Sequence, residues 1–328
     1  MENIKDIKEP LFSKMATSEK VMVVPHLGVD FDAIGSALGI SVIASKVKKP
    51  SYIIIDDPIY KIDHGVQIIM DEVKNNYPII NREKALQVQN VEDLFVLTDV
   101  SKRGLIALKD AQIDKENVVI IDHHEPDHTT LESTCKYIDP KASSASELVA
   151  KLLVLYKIKI PTDIANYLLA GIYLDTNKLT KNVSACTMKI VAKLMEAGAN
   201  LNIVTDLFAE DFKSDRRVQE LVSKAYITTY SVATILADDS EEYTKEELAK
   251  AADYLLKYKV DASFAIGRID ENTVSISARS KDKINVGEIM KLLGGGGNSY
   301  SAAGKFEKYS TEEVGKELTK VIIPKYYR

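Results

Sequence analysis

Four times in the first half of the chain a short β-branched or aliphatic run ends on residues that can titrate or hold a metal: VMVV (21–24) leads to His26 and Asp30, YIII (52–55) to Asp56 and Asp57, LFVL (94–97) to Asp99, and VVII (118–121) to Asp122, His123 and His124. Runs that are apolar at every position suit strands buried on both faces, which is the condition of a parallel sheet covered by helices. In an open sheet of that kind the carboxyl ends of the strands lie along one edge, and ligands bind there. Helical patterns follow at about 31–47, 144–156, 162–174 and 185–197, with capping residues at Ser143, Ser144 or Ser146 and, after Pro161, at Thr162. The expected fold is α/β, with a doubly wound, mostly parallel sheet over residues 1–200.

Residues 201–228 are charged and helical in pattern and carry no strand signal, so a connecting helix is expected there. Beyond them ITTYSVATIL, ASFAIGRI and NTVSISAR are expected strands, the last two joined by a short turn, with helices at about 244–257, 284–293 and 311–322. Residues 229–328 therefore form a smaller α+β domain.

Composition restricts the partners. Lys and Arg number 43 against 48 Asp and Glu, a net charge of −5, so no general basic field draws long nucleic acid to the surface. Two cysteines, Cys135 and Cys186, are too few for a disulfide framework or a zinc–thiolate cluster, and a reduced cytoplasmic location is expected. MENIKDIKEPLFSKM has no continuous apolar core of the kind a secretory signal needs. IANYLLAGIYL is short and bracketed by Asp163 and Asp175, so no membrane partner is expected.

An aspartate ahead of a helix is ordinarily an N-cap, and Asp30 taken alone fits that role. The set does not reduce to capping. Carboxylates and imidazoles arrive together at several element ends, Asp175 in LDTNKLT included, and that donor set suits divalent manganese, iron or zinc. Drawn from His26, Asp30, Asp32, Asp99, Asp122, His123, His124 and Asp175, six ligands of this type exceed what one tetrahedral ion needs, so a two-metal site is expected, with Asp99 as the bridging carboxylate. Paired ions of this kind activate water and stabilise both oxygens of a phosphoryl displacement.

These stretches carry a resemblance. HLGVDFDAIGS, TDVS, DHH and LDTNKLT resemble the successive motifs of the DHH phosphoesterases, and GRIDENTVSISARS with GGGGNSYSAAG resembles their DHH-associated C-terminal domain. IDPKASSASELV and LDTNKLT are most similar to the cyclic di-AMP phosphodiesterase branch, whose members usually carry membrane helices and sensory domains upstream that this sequence does not show. The resemblance implies one manganese ion on His26, Asp30 and Asp99 and another on Asp32, Asp99, His123 and Asp175. It implies that His124 faces the substrate phosphate and that Asp122 orients His123. Arg279 and the glycine loop, Gly295, Gly296, Gly297 and Asn298, would grip the substrate across a cleft between the domains.

The implied activity is manganese-dependent hydrolysis of adenine dinucleotides, cyclic di-AMP or linear pApA. The alternatives are an oligoribonuclease or a 3′-phosphoadenosine 5′-phosphate phosphatase and, in another class, a nucleotide-binding sensor. The last arises because the family usually places a histidine after the glycines, whereas this chain has Asn298, which can donate to a phosphate but carries no charge. A homodimer is open to such a chain.

Overall fold

The computed structural model describes residues 4–59, 62–209, 212–228, 231–281 and 283–326. The chain divides into two compact units, Met1–Ala209 and Glu210–Arg328. In the first, the strands among the described residues are β1 (Val21–Pro25), β2 (Ser51–Ile54), β3 (Ile79–Ile80), β4 (Leu94–Thr98), β5 (Val118–Asp122) and β6 (Cys135–Ile138). They form one sheet in the order β3-β2-β1-β4-β5-β6, and every neighbouring pair is parallel. The helices are α1 (Ile4–Thr17), α2 (Phe31–Lys46), α3 (His64–Val73), α4 (Arg82–Val88), α5 (Ala145–Leu155), α6 (Thr162–Asp175), α7 (Ala185–Glu196) and α8 (Leu201–Leu207).

The continuous apolar runs resolve into two cores because alternate residues of a strand point to opposite faces. Val21, Val23, Val96, Val119 and Ile121 pack with Ile34, Leu38, Leu148, Leu152 and Leu168 on one face. Met22, Val24, Phe95, Leu97, Val118 and Ile120 pack with Ala85, Ile106 and Leu108 on the other. The sheet is thus doubly wound. Strand order reverses between β1 and β4, and the crevice outside their carboxyl ends is where such a sheet binds its ligand.

The second unit contains α9 (Phe212–Ser223), β7 (Ala225–Ile227), β8 (Val232–Leu236), α10 (Lys245–Leu255), β9 (Ala262–Asp270), β10 (Thr273–Ser280), α11 (Val286–Leu292), β11 (Gly296–Gly297), β12 (Ser301–Glu307) and α12 (Thr311–Tyr326). Its sheet, ordered β11-β12-β10-β9-β8-β7, is mixed: β8 and β9 are parallel and the other pairs antiparallel. Its cores pack against α11 and α12 on one side and α9 and α10 on the other. Among the described residues no helix is long and apolar enough to cross a membrane.

The segment 201–228 holds two helices, each loyal to its own unit. Val204 and Leu207 of α8 are buried in the first core, and Val218 and Leu221 of α9 in the second. ITTYSVATIL is not one strand either; β7 and β8 pair antiparallel, and Ser231, with φ +57°, lies in the connection between them.

Candidate metal centre

His26 follows β1, Asp99 follows β4, Asp122, His123 and His124 come at the end of β5, and Asp175 closes α6. His26 Nε2 lies 3.6 Å from Asp30 Oδ1 and 3.3 Å from Asp99 Oδ2. His123 Nε2 lies 3.3 Å from Asp99 Oδ1, 3.3 Å from Asp175 Oδ2 and 3.9 Å from Asp32 Oδ2. The two oxygens of Asp99 therefore face different histidines. Three groups in which one ligand atom per residue lies within 4.8 Å of the others occur among the described residues: His26 with Asp30 and Asp99, His123 with Asp32 and Asp175, and Asp99 with His123 and His124.

Local structure fixes these side chains. The carbonyl of Leu27 lies 2.9 Å from His26 Nδ1 and accepts its proton, which turns Nε2 toward the cluster. Asp30 does cap α2, accepting from the N–H groups of Asp32 at 2.9 Å and Ala33 at 3.0 Å, and the same oxygen faces His26. Capping and facing the cluster are here one arrangement. Asp32 is fully buried and takes the N–H groups at the start of α5, Ala145 on Oδ2 and Ser146 on Oδ1, both at 2.7 Å. A carboxylate at a helix N-terminus is favoured by the unpaired N–H groups there.

Asp99 has φ +59°, the left-handed region that a non-glycine residue enters at a cost of about 1–3 kcal/mol. Its N–H still donates to the Ile121 carbonyl at 3.0 Å, so the strain is held by the neighbouring strand. Its Oδ1 is buried with no hydrogen-bond partner among the described residues. A buried carboxylate that turns one oxygen to each of two imidazoles, one of those oxygens without a hydrogen-bond partner among the described residues, fits a metal ligand, and the oxygen and nitrogen donors around it suit a divalent cation.

The electrostatics agree. Burial alone would lower His26, but Asp30 and Asp99 outweigh it and push the imidazole up to about 11. Against the same burial, Asp99, Asp32 and Asp175 raise His123 to about 9. Burial pushes Asp175 up to about 7 and, with the charges of Asp99 and Asp175, lifts Asp32 well above the usual carboxylate range. Asp99 resists its own burial and stays low because both histidines face it. Four carboxylates crowd two imidazoles, a concentration of negative charge that suits cations.

Asp122 is placed differently from expectation. Its Oδ1 accepts from the backbone N–H of His123 at 2.8 Å, but its ring partner is His124, whose Nδ1 lies at 2.8 Å. The reason is position: Asp122 is the last residue of β5 and its carboxylate folds over the turn that follows, capping the next two N–H groups. The bond raises His124 above the ordinary imidazole value and holds Asp122, despite burial, below the usual range. More than half exposed, His124 lines a cavity of about 1020 Å³ together with His26, Asp30, Asp99, His123 and Asp175.

In the second unit the cross-strand register sets Arg279 opposite Ser301, so Arg279 and the glycine hairpin share one end of the sheet. Arg279 Nε donates to Asp253 at 2.8 Å. The glycines are needed for close backbone packing: a Cβ on Gly295 would sit 2.3 Å from the Ala303 carbonyl oxygen, and one on Gly297, at φ +142°, 2.4 Å from Ala302 Cα. Asn298 Oδ1 closes the turn, accepting from Tyr300 N at 2.9 Å and Ser301 N at 2.8 Å, which leaves its amide nitrogen as the donor it can offer a ligand.

Sequence reasoning missed one contributor with a legible signal. Gly171 interrupts α6, where glycine costs about 1 kcal/mol relative to alanine. A Cβ there would lie 2.3 Å from Ser146 Oγ and 2.7 Å from Asp32 Oδ1, so the missing side chain is the space Asp32 occupies.

Residues 20–172 match the DHH family, N-terminal domain, and residues 226–324 the DHHA1 domain. The cyclic-di-AMP phosphodiesterase GdpP of Geobacillus thermodenitrificans is 31% identical over 324 residues, covering 96% of this chain and 49% of that protein. PdeA of Listeria monocytogenes, another cyclic-di-AMP phosphodiesterase, is 30% identical over 325 residues with the same shares covered. The chain thus spans about half the length of the curated relatives it matches. An exopolyphosphatase-related protein from Bacteroides fragilis shares the fold, with a TM-score of 0.75 at 20% identity over 98% of this chain and 96% of that one. The exonuclease RecJ, solved bound to manganese, gives 0.56 at 12% identity, with 98% and 94% covered.

Proposed function

This chain belongs to the DHH family, and we propose that it hydrolyses the phosphodiester of a small adenine dinucleotide, cyclic di-AMP or linear pApA, with two divalent cations, manganese by preference. The observation that carries the reading is Asp99, a buried carboxylate that turns one oxygen to each of two histidine–aspartate groups. The similarity to GdpP and PdeA supports the substrate class. His26, Asp30 and Asp99 would hold one ion, and Asp32, Asp99, His123 and Asp175 the other. Bound there, the ions would supply Lewis acidity toward the phosphate and a more acidic water.

The chain's own residues do the rest. Leu27 and the N-terminus of α5 hold His26 and Asp32 in ligating orientation before any substrate arrives. His124, whose protonated form Asp122 favours, offers an N–H to a phosphate oxygen and stabilises charge that grows during displacement. Ser143 and Ser184 line the same cavity. Arg279, Gly295, Gly296, Gly297 and Asn298, in the second unit, are the further residues proposed to bind substrate. The chain acts in the cytoplasm on small nucleotides.

The test is product analysis by chromatography after incubating the manganese-loaded protein with cyclic di-AMP, pApA, a short RNA and 3′-phosphoadenosine 5′-phosphate in parallel. Conversion of cyclic di-AMP or pApA is expected to be fastest. Preferred cleavage of RNA or of the nucleotide bisphosphate would replace the substrate reading, and tight binding without turnover would make the protein a sensor.

A further inference from the structure

We propose that Glu147 is a positioning residue that ties together the two loops walling the cavity beside the metal cluster, so that the substrate meets a preformed surface. The inference rests on the cavity being the substrate site. Glu147 lies in the first turn of α5 and is fully buried. Its Oε2 accepts from Ser143 N at 3.0 Å, from Ser143 Oγ at 2.6 Å and from Thr187 Oγ1 at 2.9 Å. Its other oxygen faces Lys151 Nζ at 2.5 Å.

Each partner belongs to a different wall. Ser143 ends the loop that contributes Pro140, Lys141 and Ala142 to the cavity. Thr187 forms a capping box with Ser184, the residue that starts α7 and ends the wall made by Asn182 and Val183. One carboxylate oxygen therefore joins segments 44 residues apart, Ser143 and Thr187, through charge-assisted hydrogen bonds, which are about twice as strong as neutral ones. A buried carboxylate is costly to keep. Helix capping does not account for it, because the cap of α5 is already satisfied by Ser144 Oγ accepting from the Glu147 N–H. Nothing in the metal cluster touches Glu147; Asp32 is held by backbone N–H groups of α5. The tie therefore acts on substrate binding rather than on the reacting centre.

The experiment uses the full chain and two readouts. Glu147→Ala combined with Lys151→Met cuts the tie without leaving an unpaired buried charge, whereas Glu147→Gln combined with Lys151→Met keeps an acceptor oxygen in place. Thr187→Val, nearly isosteric, cuts only the α7 side and serves if the alanine variant does not fold. Hydrogen–deuterium exchange is expected to rise in peptides spanning 139–144 and 182–187 for the alanine pair, in 182–187 alone for Thr187→Val, and in neither for the glutamine pair. With cyclic di-AMP or pApA as substrate, KM should rise about tenfold in the alanine pair while kcat stays within about threefold, the scale of one lost buried hydrogen bond. Unchanged exchange in both loops of the alanine pair overturns the proposal, and so does a loss confined to kcat. If the wild type turns over neither dinucleotide, the functional reading fails while the exchange result still decides whether the tie exists.

Discussion

Loading the centre with metal should expel protons, and the number follows from the electrostatics of the cluster. His26, pushed up to about 11, and His123, at about 9, are each more than about nine-tenths protonated near pH 7.5. A protonated Nε2 has no lone pair to give, so saturation with manganese must release about two protons per chain. Asp175, at about 7, and Asp32, also raised, add to that total. The sign is fixed: the loaded state holds fewer protons, so affinity rises with pH, by about a hundredfold per unit when two protons leave. Isothermal titration of metal-stripped protein with manganese, in buffers of different ionisation enthalpy, reads the number directly as the slope of apparent enthalpy. His26→Gln should lower the slope by about one. A slope near zero in the wild type would refute the reasoning, because the imidazoles would then not be the groups from which the cations displace protons.

Asp99→Asn removes the proposed anionic bridge and should lower turnover by more than about a hundredfold, beyond what disturbing a ligand's supporting partner costs, with an unchanged circular dichroism spectrum. Gly171→Ala places a Cβ 2.7 Å from Asp32 Oδ1 and should cost about 1–3 kcal/mol in a thermal melt and weaken metal binding, while Gly104→Ala, with open space around its Cβ, should do neither. Asn298→Ala removes the acceptor for Tyr300 N and Ser301 N and should destabilise the hairpin by about 1 kcal/mol and weaken substrate binding, whereas Asn298→Asp should keep the turn, measured by melting and by equilibrium binding.

The strands that carry the site were legible because a two-face-buried strand is written as an unbroken apolar run. VMVV, LFVL and VVII fall inside β1, β4 and β5, and the residues just past them are those that converge. β3, two residues long, and β6, alternating in burial, lack that signal. β12 was hidden by small residues: SAAGKFE has little β propensity of its own and is a strand because it pairs along its whole length with β10, with the glycines of β11 on its other edge. Within the site, residue types were readable and pairings were not. The left-handed backbone of Asp99, the turn of Asp122 toward His124 and the hold of α5 on Asp32 depend on φ values and on contacts more than a hundred residues apart in sequence, which a single chain's pattern does not encode.

The most direct test of the paired centre is turnover of the preferred dinucleotide as a function of manganese added to metal-stripped protein, at protein concentrations far above the dissociation constants. The expected trace rises to a break at about two ions per chain and stays flat beyond it. A break at one ion, or turnover in the stripped protein, would contradict Asp99 as the bridge of a two-metal site.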